Sequence, residues 1–187
     1  TMKREEEKSY AGLFLFLSFI LVLTMAWAVW DEEVGKRPWK MYQSRFYRLE
    51  QKKARWKYGE ATVKMKSQRP SLQIYQVHLE DINEADRCMS CHIGINRKES
   101  VSGEQPYASH SRRDVYLGNH PPEKFGCVLC HEGQGRATIS PEKAHGEVEY
   151  WLKPMHRGKV AQSSCTKCHN KGEELVGGEG ITKGIAL

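Results

Sequence analysis

Outside one uncharged run near its start, this chain is short of apolar side chains, which excludes an ordinary close-packed core over most of its length. Hydrophobic residues make up 39% of the 187, but the stretch from Ala11 to Trp30 takes many of them. Cysteine is missing everywhere except in three short stretches, and strand signals are sparse enough to leave little or no sheet. No pair of carboxylates and no Lys/Tyr cluster stands out as acid–base machinery. The fold class expected is mostly α with much irregular loop: one apolar N-terminal helix, then a domain that must be organised around something other than its own side chains.

What is present supplies that something. All six cysteines fall in Cys88-Met89-Ser90-Cys91-His92, Cys127-Val128-Leu129-Cys130-His131 and Cys165-Thr166-Lys167-Cys168-His169. Each is a C-x-x-C-H, the signature for covalent attachment of a c-type haem. Two thiols three positions apart reach the two vinyl groups of one porphyrin, and the next residue presents its imidazole to the iron as proximal ligand. A zinc half-site, a dithiol redox pair or a structural disulfide also uses C-x-x-C, but none requires a histidine after every second cysteine. Three cysteine pairs also do not divide evenly into four-cysteine zinc sites.

Over Cys88 to His169 the chain resembles the membrane-anchored tri-haem cytochromes c, and is similar to cytochrome subunits of bacterial respiratory quinone oxidoreductase complexes. The resemblance implies three covalently bound haem c and mostly six-coordinate iron with two histidines. It also implies electron transfer without substrate chemistry, and haem attachment on the outer side of the cytoplasmic membrane.

Taken in order, residues 1–10 form a short charged leader, expected in the cytoplasm. Residues 11–30 carry no charge and as a helix span about 30 Å, the thickness of a bilayer's hydrocarbon core. Tyr10, Trp27 and Trp30 stand where aromatic belts meet headgroups. Ala26-Trp27-Ala28 offers a weak signal-cleavage site, but the run exceeds a usual signal h-region, so an uncleaved single-pass anchor is expected. Residues 31–69 read as a basic amphipathic helical linker starting at Pro38, with Trp39, Tyr42, Phe46, Leu49 and Trp56 recurring at three- and four-residue steps. That stripe suggests a helix on the membrane surface or against a larger membrane partner; the plainer reading is a solvated helix leaning on the haem domain.

Net charge by segment is −3 for residues 1–35, +10 for 36–69 and −1 for 70–187. A basic segment beside a membrane span on the haem side has no nucleic acid to meet. Residues 70–171 form the expected tri-haem domain, opened by a short extended stretch with alternation at Leu72, Ile74 and Val77. Its motifs recur at 39 and 38 positions, measured between first cysteines. Residues 172–187 are a glycine-rich tail.

Each iron has a sixth position, and five histidines are spare: His78, His110, His120, His145 and His156. His120, ahead of Pro121-Pro122, is the first choice of distal ligand, with His110 and His145 next. His156 or the adjacent Met155 is an alternative, and His78 is the least constrained. The spacing does not pair these with irons. Two function classes follow. The first is an electron relay on the outer face of the membrane, a subunit of a respiratory complex, not itself an enzyme, with integral membrane subunits and a soluble or surface electron carrier as partners. The second is a haem enzyme or a redox or gas sensor with one open coordination site.

Overall fold

The computed structural model describes residues 9–35, 37–59 and 71–169. The chain divides between Arg37 and Pro38 into two compact units.

The first unit is built on α1 (Ala11–Trp30), followed by one wide helical turn at Asp31–Gly35. None of the α1 side chains is buried; Phe14, Leu15, Trp27 and Trp30 are each about two-thirds exposed or more, at 69%, 67%, 73% and 67%. Among the described residues nothing covers it, and α1 is long and apolar enough to cross a membrane. Of its two hydroxyl side chains, Ser18 and Thr24, the Thr24 hydroxyl donates to the Leu21 carbonyl at 2.9 Å. Past the apolar run, Arg37 pairs with Glu32 and Glu33 at 3.4 and 3.2 Å.

The second unit begins with α2 (Pro38–Tyr58), which ends at Gly59, where φ is +78°. Its aromatic stripe is used within the unit: Trp39, Phe46 and Tyr47 are buried, whereas Trp56 is 90% exposed. Phe46 and Tyr47 form the main core cluster with Tyr107, flanked by Tyr42, Leu49, Ile93 and Val101. A region this poor in apolar residues thus takes up Trp39 and Phe46 as its own core, which removes those two from any face offered to a membrane or partner and agrees at those positions with a helix leaning on its own domain. Gly94, two residues after His92, has no room for a side chain, because a Cβ there would lie 2.6 Å from the Phe46 ring.

At the centre of the α2 contact is Gln43, with no exposed surface. Its amide donates to the carbonyls of Gln73 (2.7 Å) and Ser90 (2.9 Å) and accepts from the Gln73 N–H (3.1 Å). Ser90 in turn closes on Tyr75, accepting from its N–H and donating to its carbonyl. These bonds tie α2 to the first C-x-x-C-H. Leu72 and Ile74 stay exposed, so the expected alternation of the extended stretch buries nothing there.

The remaining elements are short. Strands β1 (Val77–Leu79) and β2 (Glu84–Asp86) pair antiparallel with His78 opposite Ala85, around a turn that places Asn83 at φ +49°. Single-turn helices follow: α3 (Arg113–Tyr116), α4 (Pro122–Phe125), α5 (Val128–His131) and α6 (Pro141–Ala144), then a 3-10 segment at Gly158–Lys167. Taken together, the described residues are mostly helical with one two-stranded ribbon, in agreement with the coarse class read from the sequence.

Candidate haem sites

The three motifs adopt the same backbone. In each, the second cysteine's N–H bonds the first cysteine's carbonyl (3.1, 3.2 and 3.2 Å for Cys91, Cys130 and Cys168), and the histidine's N–H bonds it too (3.0, 2.9 and 2.9 Å). One helical turn puts residues i, i+3 and i+4 on one side, so two thiols and an imidazole face the same way. All six cysteines are unpaired. Burial pushes Cys91 and Cys130 up to about 11 and raises Cys165, while Cys88 is raised chiefly by its hydrogen bond to Cys127. Reactive dithiol pairs have depressed thiol pKa values. The shift here runs the other way, against the dithiol reading.

Each motif histidine faces one of the three preferred distal candidates. Ring centres are 6.3 Å apart for His92 and His145, 6.0 Å for His131 and His110, and 6.1 Å for His169 and His120. Two imidazoles on opposite sides of one iron would stand about 6.3 Å apart, since a metal–imidazole bond is about 2.0–2.1 Å and the ring centre lies about 1.1 Å behind the nitrogen. All three pairs match that spacing.

The second nitrogens fit as well. Nδ1 lies against an oxygen acceptor in four of the six rings: Gln105 Oε1 for His92 (3.2 Å), and the carbonyls of Ser111 for His110 (2.6 Å), Tyr116 for His120 (3.2 Å) and His156 for His131 (2.9 Å). Carbonyl oxygens carry no proton, so Nδ1 must donate, which leaves the Nε2 lone pair for a metal. Burial also lowers His92, His110 and His145 below the ordinary histidine range, favouring the neutral form that a metal requires.

Two buried serine hydroxyls without partners also stand beside candidate haem-binding residues. Among the described residues, six side-chain atoms are buried and unpartnered: Trp39 Nε1, Asn96 Oδ1, Ser109 Oγ, His156 Nδ1, Gln162 Oε1 and Ser164 Oγ. Ser109 adjoins His110 and Ser164 adjoins Cys165. Buried polar atoms normally find hydrogen bonds, and the propionate oxygens of a haem are acceptors that such hydroxyls lack. The residues present therefore fit the cofactor.

The alternative distal candidates take other places. His156 offers its backbone, accepting from the His131 ring and donating its N–H to the His131 carbonyl at 2.6 Å. Met155 likewise bonds the His145 carbonyl through its N–H at 2.9 Å, and His78 is exposed on β1. The pairing is interlaced, because His110 and His120 both lie between motifs one and two yet face motifs two and three. No periodicity in the sequence encodes that crossing.

Successive motifs also touch. The Sγ atoms of Cys88 and Cys127 and a carboxylate oxygen of Asp86 lie within 4.8 Å of one another. Lys167 bonds the Leu129 carbonyl at 2.9 Å and pairs with Glu132, pinning motif three to motif two. Asp86 went unnoticed in the sequence, although an acid two residues before Cys88 is the local pattern for capping a turn. Comparison with protein-family models, curated proteins and solved structures returns no match for this chain.

Proposed function

We propose that this chain is a membrane-anchored tri-haem c-type cytochrome that relays electrons on the outer face of the cytoplasmic membrane, as a subunit of a respiratory electron-transfer complex. The observation that carries the reading is the set of three imidazole pairs, each uniting a C-x-x-C-H histidine with a distal histidine near 6 Å. Cys88 and Cys91, Cys127 and Cys130, and Cys165 and Cys168 would hold three haem c, with His92/His145, His131/His110 and His169/His120 as axial ligands. Bound haem supplies one-electron ferric/ferrous chemistry. The chain's own part is to orient the imidazoles through their Nδ1 partners, keep them neutral, and hold neighbouring motifs in contact so that electrons pass between them. The acceptor or donor on either side is a membrane subunit and a soluble or surface carrier.

Carbon monoxide tests this reading against a haem enzyme or sensor. With two histidines on every iron, the dithionite-reduced native protein binds almost none. Prompt binding at one haem would favour an open-site enzyme or sensor instead.

A further inference from the structure

One carboxylate joins the first two motifs. Asp86 ends β2 with 2% of its surface exposed, and both its oxygens are engaged. Oδ1 accepts from the Cys88 N–H at 2.9 Å; Oδ2 accepts from the Val128 N–H at 2.8 Å and from the Cys127 N–H. All three partners are donors, which suits an ionised carboxylate, a group that only accepts. The neighbourhood is shaped around it. Gly126 has φ +61° and a Cβ there would lie 2.7 Å from Oδ2; a Cβ on Gly135 would come within 3.2 Å of the Asp86 backbone. The Arg87 N–H bonds the Gly135 carbonyl at 2.8 Å, closing the hairpin over the second motif.

Resting on the haem reading above, we propose that Asp86 is the positioning residue of a coupled haem pair. By holding the backbone of Cys88, Cys127 and Val128 on one carboxylate, it fixes how the haems of motifs one and two approach, and its negative charge holds both at lower potential. The sulfurs of Cys88 and Cys127 are neighbours, and on the haem reading they would hold two different porphyrins from adjacent points. The charge acts because it is buried: in a low-dielectric setting it favours the ferric over the less positive ferrous state, and the effect falls with distance. The third motif, tied through Lys167 instead, lies outside this clamp.

Asp86→Asn removes the charge at nearly the same size, and its NH2 faces a backbone donor on one side, so part of the clamp is lost with the charge. In the full membrane-bound chain, covalent haems are counted by mass, and midpoint potentials are followed during stepwise reduction with dithionite, one electron per iron from ferric to ferrous. Two of the three potentials should rise, changing the ferric-to-ferrous ratio at fixed ambient potential by at least about threefold, where tenfold is about 59 mV for one electron. The third should stay put. The bisignate Soret circular dichroism of two close haems should weaken in parallel. If Asp86→Asn does not accumulate with three haems, Asp86→Glu decides: the longer side chain keeps the charge but displaces the clamp, so potentials hold while the bisignate band changes. Three haems with unmoved potentials and an unchanged band in Asp86→Asn, or an unchanged band in Asp86→Glu, would overturn the proposal alone. Fewer than three haems in the native chain would instead bring down the haem reading on which it rests.

Discussion

Replacing His145 by alanine removes the ring opposite His92 without touching any C-x-x-C-H, and the same holds for His110 opposite His131 and His120 opposite His169. Each such variant should keep three covalent haems and, once reduced, bind one carbon monoxide per chain where the native protein binds none. Alanine at His78, exposed on β1, should gain no such binding. Gly94 makes a stability prediction at the same scale. The Phe46 ring that a Cβ would strike at 2.6 Å is fully buried and cannot swing away, so Gly94→Ala should cost about 1–3 kcal/mol in denaturant unfolding, the range for overpacking. The three C-x-x-C-H turns were legible because their spacing is local and one helical turn sets it. Asp86 was not, since a carboxylate's importance here comes from backbone donors 41 and 42 positions away.

Helix α2 shows where periodicity informs and where it stops. Its start at Pro38 was readable from a proline at the first turn, whereas its end was open between Gly59 and about Met65 and the structure places it before Gly59. The amphipathic pattern also identified an apolar face, but a pattern says that a face is covered without saying by what. The cover turns out to be the same unit, with Gln43 bonded to Gln73 and Ser90 across it. Gln43→Ala would strand those carbonyls in a buried place. It should cost about 1–3 kcal/mol, read as a lower urea midpoint at unchanged slope. Trp56→Ala, at a position 90% exposed, should change stability by no more than about 0.5 kcal/mol. A large loss there with the complex absent would mean that Trp56 packs on something within the chain.

At the scale of the whole molecule, the proposed reading gives the two units different tasks, attachment and chemistry. On that reading, the apolar helix with no buried side chain would sit in lipid, and the second unit, with so few buried apolar residues, would complete its core with haem. An alkaline carbonate wash should therefore leave the protein in the membrane, and a protease added to spheroplasts should reach residues beyond Pro38. Digestion only from the cytoplasmic side would reverse that topology. The most direct measurement is the mass of the denatured chain purified from its native host. Three covalent haems on Cys88 to Cys168 are the predicted result. A chain carrying two or fewer would contradict the account at its centre.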